Sequence, residues 1–366
     1  MGRSDKRLKI FADCHVFDGN FQGTTTFLKG MYREMIKDTE KDFYFAASDI
    51  THLKTIFGEA HNIHYVQYGS HNKFYRLLID IPRVIKKHSI DYAHFQYVAP
   101  PFRYCKYITT IHDVLFLDYP QYFPLGYRIK NKLLFLLSAK RSYKVTTVSQ
   151  YSKERIEKHF QIKDIMITPN AVDPVFFESF DKKAIQATVA EKYGIGNYWL
   201  YVSRWEPRKN HHTLLKVFAD NGYYKDNWLV FVGGRAIACP EFDTAYVSLP
   251  KEIKEKVLII NRLKFPELIL LVRGASLSVY PSIAEGFGIP PLEAAAAGVP
   301  VACSDTTAMS DFSFFGESLF DPLSDTDMHR AIENALSKEN TSAIKQVITR
   351  QYSWEISAQK LLAAMR

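Results

Sequence analysis

Short runs rich in β-branched and aromatic residues alternate with longer helix-patterned stretches along almost the whole of this 366-residue chain. Strands that recur with helices between them build parallel βαβ units, whose sheets are covered by helices on both faces. The expected fold class is therefore α/β. A first series of strands is expected at residues 8–12, 43–48, 63–66, 92–95, 107–111, 144–148 and 165–168, and a second at 199–202, 228–232, 257–260, 276–280 and 299–303. The length exceeds what one hydrophobic core usually serves, so two Rossmann-like halves are expected. Proline and asparagine interrupt the pattern at Pro169-Asn170-Ala171-Val172-Asp173-Pro174. This places an N-terminal domain at 1–172 and a second at 173–352, with a closing helix at about 353–366 packing back onto the first.

Charge divides along the same line. Residues 1–172 hold 26 Lys and Arg against 16 Asp and Glu, while residues 173–366 hold 21 against 23, so the halves carry +10 and −2. A basic half suits nucleic acid, an anionic membrane surface or an anionic substrate. The densest basic segment sets Arg128, Lys130, Lys132, Lys140, Arg141 and Lys144 around a run of leucines and Phe135. Two readings stay open for it: leucines against the core with lysines in water, or a helix lying on a membrane surface. No zinc finger, RNP-like aromatic strand or tandem repeat accompanies the charge, so no nucleic-acid partner is expected. The longest apolar runs fall far short of the roughly 20 residues that span a bilayer. The charged first ten residues lead into no signal-peptide core, and Cys14, Cys105, Cys239 and Cys303 are scattered without a C-x-x-C pair. A cytoplasmic protein with ordinary thiols and no metal site is expected, with the inner membrane face as an open peripheral location.

The residues richest in chemistry lie in two strand–loop–helix segments. In Tyr280-Pro-Ser-Ile-Ala-Glu285-Gly-Phe-Gly-Ile-Pro290-Pro-Leu-Glu293, Gly286 and Gly288 allow close backbone approach, and Pro290-Pro291 suits a helix start. A loop running into a helix N-terminus offers backbone N–H groups and a positive dipole end to an anion such as phosphate. Glu293 in the first turn can bond ribose hydroxyls or simply stabilise the dipole, and Glu285 precedes the loop. In Ser203-Arg204-Trp-Glu-Pro-Arg208-Lys209-Asn210, Arg204 and Lys209 would project from the carboxyl edge of a parallel sheet, where α/β proteins bind ligands. Two cations there suit a diphosphate. Read alone, they also fit surface cations paired with Glu206.

Taken together, the Glu285-x7-Glu293 spacing with Gly286-Phe287-Gly288, and Ser203 to Asn210, resemble the family 4 retaining glycosyltransferases, proteins of the GT-B fold with two facing Rossmann-like domains. Thr147-Val148-Ser149, Pro169 to Asp173, Phe231-Val232-Gly233-Gly234 and Tyr352-Ser353-Trp354-Glu355 are similar to further family landmarks, so the resemblance covers nearly the whole chain. It implies a nucleotide-sugar-dependent hexosyltransferase that uses no cofactor or metal. Arg204 and Lys209 would hold the donor diphosphate, Glu293 the ribose, and Glu285 would lie beside the transferred sugar. Backbone groups of Phe287, Gly288 and Ile289 would hold sugar and phosphates, and Arg262-Leu263 the base. His112, at the end of a first-domain strand, matches the family histidine near the donor sugar. The loop carrying Gly19, Gln22, Gly23 and Thr24 falls where the family places a glycine-rich loop between donor and acceptor, but lacks the commoner double glycine.

The resemblance further implies front-face retention, with the departing diphosphate as base. GDP-mannose or a UDP-hexose is the expected donor, and a saccharide or lipid-linked saccharide of polysaccharide or glycolipid biosynthesis the acceptor. Asp325-Thr-Asp327 forms a D-x-D, read here as coincidence. A nucleotide-sugar epimerase, a phosphorylase and a non-catalytic partner subunit share the fold, since fold does not fix reaction. The first two fit the Arg204, Lys209, Glu285 and Glu293 set poorly, and the third would be expected to have lost part of it.

Overall fold

The computed structural model describes residues 7–19, 23–337 and 342–365. The chain divides into two compact units, one of residues 1–171 with 352–366 and the other of residues 172–351.

The first unit is built on seven strands: β1 (Leu8–Asp13), β2 (Lys41–Ala47), β3 (Ile63–Gln67), β4 (Tyr92–Gln96), β5 (Lys106–Thr110), β6 (Lys144–Thr147) and β7 (Met166–Ile167). They form one parallel sheet in the order β3-β2-β1-β4-β5-β6-β7. A parallel sheet is covered on both faces, so its strands read as apolar runs without alternation. Phe43, Phe45 and Ala46 are accordingly fully buried, and Phe11, Phe95 and Tyr107 share one core with Leu77 and Ile81. The closing helix Trp354–Ala363 packs on helix Gly23–Met35. Gly30 makes this possible, because a Cβ there would stand 2.1 Å from Trp354 Cε2. Ser357 Oγ ties the helix down by donating to the Pro169 carbonyl at 2.7 Å.

The second unit repeats the plan with β8 (Tyr198–Val202), β9 (Trp228–Val232), β10 (Val257–Ile260), β11 (Leu277–Tyr280), β12 (Val301–Ser304) and β13 (Leu319–Phe320). The order is β10-β9-β8-β11-β12-β13, again all parallel. Both sheets thus follow the doubly wound order 3-2-1-4-5-6. In this order the chain reverses its direction of travel beside the first strand, and ligands bind at the crevice that opens there at the strand carboxyl ends. In the first unit the crevice lies beyond β1 and β4; in the second it lies beyond β8 and β11.

Candidate active site

The switch point of the second unit brings together the two segments that carry the chemistry. After β8 the chain turns through the short 3-10 segment Pro207–Lys209, where Pro207 opens the turn and Asn210 closes it in the left-handed region at φ 58°. Asparagine tolerates that conformation better than most residues. Its side chain is fixed by donating to the Pro322 carbonyl at 2.7 Å and accepting from Thr213 Oγ1 at 2.6 Å. After β11 the loop reaches Gly288, at φ 103°, and enters helix Ile289–Ala296. The loops are bonded through backbone, Ile283 N–H donating to the Arg208 carbonyl at 2.8 Å. Tyr201, buried in β8, donates to the Lys209 carbonyl at 2.8 Å and meets Ser282 Oγ at 3.1 Å.

This scaffold holds a chain of five alternating charges. Arg204 pairs with Glu206 at 2.8 Å, Glu206 with Arg208 at 2.7 Å, Arg208 with Glu285 at 3.2 Å, and Glu285 with the Lys209 ammonium. Exposure divides the five: the Arg204 side chain is 57% exposed, whereas those of the other four lie between 11% and 16%. Burial opposes the charged form of Glu285, but Lys209 and Arg208 override it and draw its pKa down to about 2, so the carboxylate stays ionised. Burial also pulls the Lys209 ammonium below the ordinary lysine range, with Glu285 acting against that pull.

Glu293 has the opposite environment. It is half-buried in the first turns of helix Ile289–Ala296, and no described residue gives it a hydrogen bond or countercharge. Burial, with Asp173 adding repulsion, raises its pKa to about 8. Two carboxylates eight residues apart are thus pushed in opposite directions, one held as an anion and one able to donate a proton in a hydrogen bond. Pro290 and Pro291 occupy the first helical turn and lack an N–H, so Gly288 and Ile289 supply the N–H groups that face out of the helix end. Phe287 is buried against Phe312, with ring centroids 5.7 Å apart, and this sets the loop's path.

Arg262 and Leu263 lie on the loop after edge strand β10, on the same carboxyl edge but two strands from β8. Arg262 is exposed, and among the described residues no ion pair joins it to the charged chain. The D-x-D aspartates serve the fold: Asp325 pairs with Lys216 at 2.6 Å, and Asp327 pairs with Arg330 and accepts from Asp321 N–H, both at 2.8 Å. Among the described residues no group of three His, Cys, Asp or Glu could hold a metal ion.

In the first unit His112 follows β5 and is buried, its Nε2 2.6 Å from Gln96 Oε1 and its ring edge-to-face with Phe27 at 4.9 Å. Burial lowers its pKa to about 3, leaving a neutral imidazole. Gln96 also meets His94 Nε2 at 3.3 Å, and His94 Nδ1 meets the Tyr32 hydroxyl at 2.9 Å, so His112 ends a buried hydrogen-bond chain. Gly19 and Gly23 flank residues 20–22, Gly23 opens helix Gly23–Met35 and Thr24 follows it in the first turn; Gln22 lies outside the described residues.

Sequence reasoning passed over two sets of residues. Arg208 stood inside the quoted motif without a role, yet it bridges Glu206 and Glu285. Asp13, at the end of β1, is buried with His15 at 3.0 Å, Arg76 at 3.6 Å and the Tyr68 hydroxyl at 2.8 Å; these partners outweigh burial and hold it well below the usual carboxylate range. A lone aspartate closing a hydrophobic strand, beside the first turn, was the available signal.

Two parallel sheets in doubly wound order, each with its switch-point loops rich in charge or buried histidine, define a protein of the GT-B class. Two family models match: Glycosyltransferase Family 4 over residues 38–176 and Glycosyl transferases group 1 over residues 181–346. The chain belongs to this family of glycosyltransferases. It is 32% identical over 228 residues to the O-antigen chain mannosyltransferase RfbU of Salmonella typhimurium, a match covering 62% of this chain and 59% of that protein. It is 28% identical over 300 residues to O-antigen chain mannosyltransferase B of Escherichia coli, covering 74% and 76%. A glycosyltransferase crystal structure from Rickettsia africae shares the fold, with a TM-score of 0.75 at 17% identity over 98% of both chains.

Proposed function

We propose that this protein is a retaining, metal-independent hexosyltransferase that moves mannose from GDP-mannose, or a hexose from a UDP-sugar, to a saccharide or lipid-linked saccharide in polysaccharide synthesis. Its mannosyltransferase relatives support the reaction class and favour mannose. The observation that carries the reading is the charged chain at the switch point of the second unit. Arg204 presents a solvent-facing guanidinium, and Lys209, five residues on in the same loop, stands at the other end of the charged chain that runs through Glu206, Arg208 and Glu285. A donor diphosphate there gains a forked partner and a point charge, and the negative charge that grows as it leaves is stabilised where it develops. Glu285 orients Lys209 through their ion pair and would lie beside the transferred sugar, next to the phosphates. The Gly288 and Ile289 N–H groups bond phosphate or sugar oxygens, and Glu293 bonds the ribose hydroxyls. His112, neutral and fixed by Gln96 within the first unit, is the residue the family resemblance assigns to the donor sugar, and a neutral imidazole would add no charge there.

The test is a donor screen by thermal shift and slow hydrolysis, followed by NMR of the product anomer with excess chelator present. GDP-mannose turnover with an axial product linkage and full activity in EDTA is expected. An inverted anomer, or activity abolished by EDTA and restored by Mn²⁺, overturns the reading.

A further inference from the structure

The sequence of the basic helix Leu125–Arg141 leaves two readings open, and the exposure of its side chains bears on both. Its buried side is formed by Phe135, Ser138 and Ala139, with Leu134 and Leu136 partly covered. The other leucines do not face the core. Leu125, Ile129, Leu133 and Leu137 are 63%, 62%, 56% and 38% exposed. Spaced four apart, they drift by roughly 40° per step and form one continuous outward stripe about 18 Å long. Lys130, Lys132, Lys140 and Arg141 border it, all exposed and none paired with an acidic residue among those described.

The surface extends beyond this helix. The crossovers from β3 to β4 and from β5 to β6 run in the same direction along the sheet, so right-handed connection puts both helices on one face. Lys73, at the start of the β3–β4 crossover, is close enough to Lys130 for the two to repel. Beside Lys73, Phe74 is 68% exposed and Leu78 is 47% exposed. The starts of both crossovers lie at the carboxyl edge of the sheet, the edge that also carries Asp13 and His112.

We infer that the outward stripe of helix Leu125–Arg141, continued by Phe74 and Leu78, is a docking surface for an anionic lipid bilayer. A globular surface gains nothing by presenting this much apolar area to water. Apolar side chains edged by unpaired cations match the boundary between acyl chains and anionic headgroups, where each basic residue contributes roughly a five-fold change in partitioning at low salt. Docking would lay the carboxyl edge of the first sheet close to the headgroups, within reach of a lipid-linked acceptor. In that use the inference rests on the transferase reading, but binding itself does not.

Co-sedimentation with phosphatidylcholine vesicles, with and without phosphatidylglycerol, is measured without nucleotide sugar or acceptor. Its failure therefore leaves the transferase reading standing, and donor hydrolysis tests that reading separately. Binding should require phosphatidylglycerol and weaken as salt screens the contact. The triple variants Ile129→Ser/Leu133→Ser/Leu137→Ser and Lys130→Gln/Lys132→Gln/Lys140→Gln should each lose about ten-fold or more in partitioning, with nucleotide affinity and thermal unfolding unchanged. As a probe that keeps an apolar side chain, Leu133→Trp should blue-shift on binding and be quenched by brominated acyl chains. No binding to either vesicle, equal binding to both, or an unquenched indole overturns the inference. So does a dimer in solution that the serine variant splits, which would make the stripe a protein interface.

Discussion

Arg204 and Lys209 stand on the same loop but differ in how much of the fold depends on them. Arg204 is largely solvated, so Arg204→Ala should leave the thermal midpoint nearly unchanged while lowering kcat by about 10²–10³. Lys209 is buried against Glu285, and Lys209→Ala leaves Arg208 as that carboxylate's main counterion. The same loss of turnover should come with a stability cost of roughly 1–3 kcal/mol, read by denaturant unfolding. Near-native kcat in both variants would remove the phosphate role from this pair. Glu293 yields a pH prediction. Its folded pKa, about 8, lies above the ordinary glutamate value of 4.5, so between these values the unfolded chain has lost a proton that the folded chain keeps. Stability therefore falls as pH rises through that window and levels off above it. Glu293→Gln removes the penalty and should be the more stable protein by roughly 1–3 kcal/mol at pH 8, with little difference below pH 4.5. Parallel stability curves across the window would show that the carboxyl is ordinarily solvated. The spacing of the two glutamates was legible in the sequence; their opposed ionisation was not, because it depends on Lys209 and Arg208 meeting one and Asp173 approaching the other.

At the scale of elements, two glycines carry testable geometry. Gly288 stands at φ 103° with Met309 Cγ 3.0 Å from where a Cβ would be. Gly288→Ala should cost about 1–2 kcal/mol in backbone strain and raise KM for the donor, since it displaces the N–H groups at the start of helix Ile289–Ala296. An unchanged KM would place the donor elsewhere. Gly30→Ala drives a methyl group into Trp354 and should destabilise the first unit by roughly 1–3 kcal/mol. Hydrogen exchange would then rise in helices Gly23–Met35 and Trp354–Ala363 and stay constant in the second unit. All twelve strands expected from the pattern overlap observed strands, because each lies in an apolar run bounded by turn residues; even β7, two residues long, sits in Ile165-Met166-Ile167 between Asp164 and Pro169. β13 offers only Leu319-Phe320 between Ser318 and Asp321, too little to carry a pattern. The leucine run 133–137 shows the converse limit: five apolar residues in succession cover every side of a helix, so periodicity cannot say which of them the sheet will bury.

For the whole molecule, a nucleoside diphosphate at about 100 times its Kd should stabilise the second unit by about 2.7 kcal/mol by mass action. Hydrogen exchange with GDP present should slow across residues 203–210 and 285–293 and remain unchanged across residues 8–18. Protection confined to the first unit would reverse the assignment of the two halves. By itself the sequence determined the α/β class, the twofold repetition of the strand series and the segments that carry charge, since each is written in local periodicity, turn residues and motif spacing. Tertiary structure decided what depends on residues far apart in the chain. Strand order placed loops 203–210 and 281–288 at one switch point, although more than seventy residues separate them. Packing chose which leucines of the basic helix would face water. Burial with or without a partner then gave Glu285, Glu293 and His112 their charge states, because a pKa is set by the dielectric and the neighbouring charges that only the folded chain assembles.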